Sequence, residues 1–252
     1  AEGFKTQVDE EWAAIDQEQD AAPLSELRRL SAFFAPPAFA KFDDADALLG
    51  KQRLENPAFN RWMKHNVSPH QVKGYAAVTL STKTVGTPPG DVSAEQMDAV
   101  AAWASAFGFD EIRISHEQNF VLPHIPQHQL YDLWQQAQSI GLGHFNAGLI
   151  SDMVCCPGGD YCSLANAKSL PVAEAIQRRF ADYDFQHDLG ELDLNISGCM
   201  NACGHHHVGH IGILGVDKKG QEFYQISLGG HAGHSGEGPQ LGQIIGPSVP
   251  RA

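Results

Sequence analysis

Lys73-Gly74-Tyr75-Ala76-Ala77-Val78-Thr79-Leu80-Ser81 opens the segment whose reading decides the fold. Tyr75, Ala77, Thr79 and Ser81 alternate with Ala76, Val78 and Leu80, the period of two that sends successive side chains to opposite faces of a strand. The run ends near Gly86, and Pro88-Pro89-Gly90-Asp91 supplies turn chemistry. Ser93 with Gln96 reads as a capping box, so a helix opens there. Met97, Val100, Ala101, Ala104 and Phe107 keep helical spacing until Gly108 closes it. Residues 111–115 and 119–125 read as two short strands. Residues 129–140 form a second helix with Leu130, Leu133, Trp134 and Ala137 on one face. Strand, helix, strand, strand, helix is most of a ferredoxin-like split unit. One more strand would complete its sheet, and residues 146–154 are the candidate, unless they lead into the next domain.

Outward from this core, residues 1–66 lean helical and amphipathic, with breaks at Pro23 and Pro36-Pro37. They carry no recognisable chemistry and read as a packing or linking segment. Residues 147–252 are rich in Gly and Cys. A helix spans 163–180 with an interruption near Pro171, and Leu192, Leu194 and Ile196 alternate as a strand running into Gly198-Cys199. Strands at 208–216 and 223–228 are joined by the turn Asp217-Lys218-Lys219-Gly220. The expected class is α+β: a ferredoxin-like half-domain at 67–146, then a larger α/β domain at 147–252.

Charge narrows the partners. Seventeen Lys and Arg against thirty Asp and Glu leave a net charge of −13, which disfavours nucleic acid and anionic membrane surfaces. No apolar run approaches the roughly 20 residues that span a bilayer. The opening Ala1-Glu2-Gly3-Phe4-Lys5 has neither an initiating Met nor a charged-then-apolar leader, and a fragment or processed product is expected. All five cysteines fall between Cys155 and Cys203. Such a cluster in a large chain points to metal rather than a disulfide framework, and to a reducing cytoplasm.

The spacing is Cys156-x5-Cys162 and, further on, Cys199-x3-Cys203. Two close pairs suit an iron–sulfur cubane, whose four thiolates converge from two loops. Gly158-Gly159, Gly198 and Gly204 let the backbone wrap an inorganic core without Cβ clashes. Structural zinc is the first alternative: x3 suits it and x5 is unusual for it, while His205, His206, His207 and His210 offer further donors. Disulfides are the second alternative. Cys155 reads as an extra, buried free thiol.

Cys156-Pro157-Gly158-Gly159-Asp160-Tyr161-Cys162 with Gly198-Cys199-Met200-Asn201-Ala202-Cys203-Gly204 resembles the paired signature of sirohaem-dependent sulfite and nitrite reductases. Arg113-Ile114-Ser115-His116-Glu117-Gln118-Asn119 resembles the sirohaem-facing strand pair of the same family's second repeat, and Lys73-Gly74-Tyr75 and Gly242-Gln243-Ile244-Ile245-Gly246-Pro247 also match. Met200 departs from the Pro common at its position.

The resemblance implies a C-terminal half of such an enzyme. Cys156, Cys162, Cys199 and Cys203 would bind a [4Fe-4S] cluster, with Cys203 bridging to the sirohaem iron. Asn201, Gln118, Asn119 and Arg113 would lie near cluster, ring or ring carboxylates. The implied reaction is six-electron reduction of sulfite to sulfide or of nitrite to ammonia. Its electrons come from a ferredoxin or flavoprotein. The substrate-holding Arg and Lys belong to the enzyme's N-terminal half, so no catalytic residue is assigned here. The alternative is a non-catalytic iron–sulfur electron carrier or cluster-assembly protein. For His205, His206, His207 and His210 the bland reading is core or surface histidines at a strand entrance.

Overall fold

A computed structural model describes residues 2–15, 23–42, 45–233 and 236–251. The chain divides into two units, 1–40 and 41–252. The first holds α1 (Glu2–Ala14) and α2 (Leu24–Phe33). Phe4, Val8 and Trp12, each four residues apart on α1, are exposed, as are Leu27, Leu30 and Phe33 on α2.

The second unit begins with α3 (Asp46–Glu55) and α4 (Pro57–Asn66). The Asn56 side chain caps α4 by accepting from the Phe59 N–H at 3.1 Å, and Pro57 occupies the first turn, where a missing N–H costs nothing. Phe59 and Trp62 are fully buried against Leu133 and Trp134 in the core of the ferredoxin-like part. Each such burial is worth about 1.5–3 kcal/mol. Through Phe59 and Trp62, therefore, the end of the segment read as packing or linking packs into this core.

Next come β1 (Val67–Pro69), β2 (Tyr75–Leu80), α5 (Ala94–Phe107), β3 (Arg113–Ile114), β4 (Phe120–Pro126) and α6 (Leu130–Ser139). The capping box on α5 is formed in both directions. The antiparallel sheet runs β1-β2-β4-β3. Its fourth strand is β1, not residues 146–154. α4 delivers Val67 opposite Val78, which satisfies the outer edge of β2 from upstream.

The chain then enters a second, six-stranded sheet. Its elements are β5 (Val154–Cys155), α7 (Leu170–Arg179), α8 (Tyr183–Leu189), β6 (Leu194–Ser197), β7 (Ile211–Asp217), β8 (Glu222–Leu228), β9 (Gln243–Ile244) and β10 (Val249–Pro250). The helix expected over 163–180 is confined to Leu170–Arg179, with Pro171 in its first turn. Residues before it are committed elsewhere: the Asn166 and Ala167 N–H groups both bind the Gly198 carbonyl, at 2.9 and 3.0 Å. The order is β10-β8-β7-β6-β5, with β9 also on β8. β5, β6 and β7 run parallel, while β8 returns antiparallel through the turn in which the Gly220 N–H binds Asp217 at 3.2 Å. Ile150, Met153, Leu194, Ile196 and Ile213 fill this domain's core.

Candidate functional site

Parallel pairing of β5 with β6, Cys155 opposite Ile196, brings the carboxyl ends of both strands to the same edge. In parallel sheets that edge is where ligands gather. The Cys156–Cys162 loop leaves β5 there, and the Cys199–Cys203 loop leaves β6 there.

The two loops touch through a sulfur. The Gly198 N–H donates to Cys156 Sγ at 3.0 Å, and the Cys156 N–H returns to the Ile196 carbonyl at 3.1 Å. Within the first loop the Cys162 N–H binds the Gly158 carbonyl at 2.9 Å. In the second, the Ala202 N–H binds the Cys199 carbonyl at 3.1 Å, and Ala202 takes a left-handed φ of 57°. A Cβ on Gly198 would stand 2.7 Å from the Gly158 Cα, and one on Gly204 2.0 Å from the Ile196 carbonyl oxygen. Only glycine lets the backbones approach this closely. Cys199 is buried, Cys156 and Cys162 are half-buried, and Cys203 is exposed. Asn201 is exposed beside it, and Met200 is 80% exposed.

Above β5 lies a cavity of about 470 Å³, lined by Thr82, Gln118, Asn119, Cys155 and Pro157 among others. Gln118 spends its amide on the backbone: its Nε2 donates to the Cys155 carbonyl and its Oε1 accepts from the Cys155 N–H, both at 3.1 Å. Asn119 Oδ1 accepts from the Thr82 N–H at 3.1 Å, and its Nδ2 donates to Asp152 at 2.8 Å. Arg113 is exposed on β3 and pairs with Glu111 at 2.6 Å. The structure thus brings Gln118, Asn119 and the cysteine loops together and leaves Arg113 at the surface.

Sequence reasoning passed over Lys83 and Asp152. Lys83 Nζ donates to the Glu117 and Gln118 carbonyls at 2.6 and 3.2 Å. Burial pushes its pKa down to about 8, opposed by the Asp152 carboxylate. Burial pushes Asp152 up to about 6, opposed by Lys83. Nothing local to Ser81-Thr82-Lys83 announces a buried cation. Among the histidines, His206 is buried and held down to about 4 by that burial, while His210 Nδ1 accepts from the Asp193 N–H at 2.9 Å. Cys155 is buried, and burial raises its thiol far above the usual range.

Two family models match the chain. The nitrite/sulfite reductase ferredoxin-like half domain covers residues 70–140, and the nitrite and sulphite reductase 4Fe-4S domain covers residues 147–250. This chain belongs to the nitrite and sulfite reductase family. Ferredoxin–nitrite reductase of Synechococcus elongatus is 30% identical over 200 residues, 74% of this chain and 37% of that protein. Sulfite reductase [ferredoxin] of Mycobacterium tuberculosis is 28% identical over 258 residues, 94% of this chain and 45% of that protein. The solved structure of Mycobacterium tuberculosis NirA protein superposes with a TM-score of 0.57 at 27% identity, over 73% of this chain and 34% of that one. Dissimilatory sulfite reductase I shares the fold, with a TM-score of 0.56 at 11% identity over 71% of this chain and 59% of that one. The chain spans less than half the length of these curated relatives.

Membership in the nitrite and sulfite reductase family implies a [4Fe-4S] cluster and sirohaem. The residues present fit a cluster: four thiols on two touching loops, an N–H already aimed at a sulfur, and glycine cradles. Among the described residues, no three of His, Cys, Asp or Glu are grouped as a single metal ion requires, whereas a cubane spreads its ligands around a larger core. For the macrocycle the cavity offers apolar walls such as Val92, Ile114 and Phe120, but its lining holds Asp91 and neither Lys nor Arg. No described helix is long and apolar enough to cross a membrane.

Proposed function

We propose that this chain is the cluster-binding half of an enzyme that reduces sulfite to sulfide or nitrite to ammonia, with Cys156, Cys162, Cys199 and Cys203 as cluster ligands. The observation that carries the reading is the Gly198 N–H donating to Cys156 Sγ at 3.0 Å. It ties one cysteine loop to the other and is the kind of bond that stabilises a metal-bound thiolate.

When bound, the cluster and sirohaem supply the one-electron steps and the reducing iron centre. The chain's own part is to bind, orient and exclude water. Burial of Cys199 keeps solvent from one side of the ligand set. Cys203 and Asn201, both exposed, would be the residues of this loop that meet the sirohaem. Gln118 and Asn119 line the cavity and would border the ring there. Arg113 would exchange Glu111 for a ring carboxylate. In this reading the groups that hold the substrate oxyanion belong to the N-terminal half of the same enzyme. The donor is a ferredoxin, in keeping with the names of the relatives, or a flavoprotein. The enzyme works in a reducing cytoplasm, where free thiols persist.

The test is anaerobic reconstitution of the chain with iron and sulfide. The expected result is iron and acid-labile sulfide in cubane proportion, lost when any of the four cysteines becomes Ser. Stoichiometric zinc with no iron overturns the proposal. A cluster that forms in a full-length protein devoid of sirohaem absorption favours the electron-carrier reading instead.

A further inference from the structure

β5 is the edge strand of its sheet. The Cys156 N–H faces β6, so the N–H and C=O of Cys155 point the other way, off the edge. An unpaired edge is free to shift, and here it carries the residue next to a proposed cluster ligand. Gln118 closes it. Its side-chain amide binds both main-chain groups of Cys155 at 3.1 Å, as a residue of a neighbouring strand would.

Gln118 is itself held on several sides. Its backbone has a left-handed φ of 61°, in a turn closed by its N–H on the Ser115 carbonyl at 3.0 Å. Its carbonyl accepts from Thr82 Oγ1 at 2.5 Å and from Lys83 Nζ at 3.2 Å. Lys83 also binds the Glu117 carbonyl and Asn119 Oδ1, while Asn119 reaches Asp152, which in turn accepts from the Gly148 N–H at 3.0 Å. Gly90 leaves the room: a Cβ there would stand 3.1 Å from Gln118 Cβ.

We infer that Gln118 is a positioning residue for the cluster loop, clamped by the buried Lys83–Asp152 pair, so that the ferredoxin-like unit sets the ligand geometry and redox potential of the cluster. The inference rests on the cluster reading above. Gln118 acts through Cys155 on Cys156. Outer-shell partners of this sort hold first-shell ligands in register and tune the metal.

The test uses the full chain with its reconstituted cluster and the variants Gln118→Ala and Gln118→Glu. The Glu variant keeps the side chain's size and its acceptor for the Cys155 N–H, while it turns the donor to the Cys155 carbonyl into a carboxylate oxygen and adds a negative charge when ionised, so its cluster lifetime, rather than its potential, reports the lost bond. Three readouts are followed: cluster lifetime under an iron chelator, midpoint potential, and the electron paramagnetic resonance spectrum of the reduced cluster. The expected result is a lifetime about tenfold shorter in the Ala variant and shortened in the Glu variant too, with potential and spectrum displaced in the uncharged Ala variant. Circular dichroism checks folding, and the Glu variant alone decides if the Ala chain unfolds. Wild-type lifetime, potential and spectrum in the folded variants overturn the inference and leave the cluster reading standing. A wild-type chain that takes up no iron overturns both.

Discussion

Lys83 Nζ stands 3.8 Å from the Asp152 carboxylate, with the two side chains 0% and 6% exposed. The pair joins β2's continuation to the segment that leads into β5, and so bridges the two sheets of the second unit.

Breaking that pair on one side strands a buried charge. Lys83→Met is expected to cost about 3–5 kcal/mol, and the double variant Lys83→Met/Asp152→Asn much less, because desolvation of both charges disappears with them. Urea denaturation of the single and double variants measures the difference. A single variant as stable as wild type would count against the pairing.

The same pair sets a pH dependence. Asp152 is raised, to about 6 from 3.8, so its contribution to stability is full below the unfolded value and is lost as pH rises through about 6. Lys83 is lowered, to about 8 from 10.5, so its contribution is full above the unfolded value and is lost as pH falls through about 8. Their combined contribution is therefore lowest between about pH 6 and 8. Denaturation midpoints against pH for wild type minus the double variant should show that trough, and a flat difference would contradict it.

Adjacent thiols should behave oppositely. Cys156→Ala removes the sulfur that accepts the Gly198 N–H, and iron uptake should fall to background. Cys155→Ala deletes a buried sulfur whose hydrogen bond goes to the Cys156 carbonyl, and iron per chain should stay at the wild-type value. Iron and sulfide assays on reconstituted protein separate the two.

Glycines divide by their surroundings. Gly50 lies inside α3, and a Cβ there would meet nothing within 4 Å, so mutation to Ala should gain about 0.5–1 kcal/mol. Gly204→Ala would press a methyl group 2.0 Å from the Ile196 carbonyl oxygen, and a cost of at least about 1–3 kcal/mol is expected from the forced backbone shift. Thermal melts of the two variants should move in opposite directions.

Phe59 packs with Trp62, Tyr131 and Trp134, ring centroids 5.0–5.9 Å apart. Phe59→Ala should destabilise the chain by about 3–5 kcal/mol. A loss below about 1 kcal/mol, nearer the range of a surface change, would mean that α4 is not core.

Periodicity and local chemistry by themselves determined the helices α5 and α6, the strands β2 and β4, the capping box at Ser93 and the hairpin turn at Asp217. Each depends on residues within a turn or so of one another. The paired cysteine motif likewise exposed the family, because ligand spacing and its glycines are written in consecutive residues. Tertiary structure alone decided the rest. β1 supplies the fourth strand because Val67 finds β2 across a turn of irregular chain. Residues 163–169 forgo a helix because the Gly198 carbonyl claims the N–H groups of Asn166 and Ala167. Lys83 is buried and Gln118 is spent on Cys155 for the same reason: their partners lie more than thirty residues away. No local pattern encodes a hydrogen bond at that separation, since it exists only once the two sheets have packed.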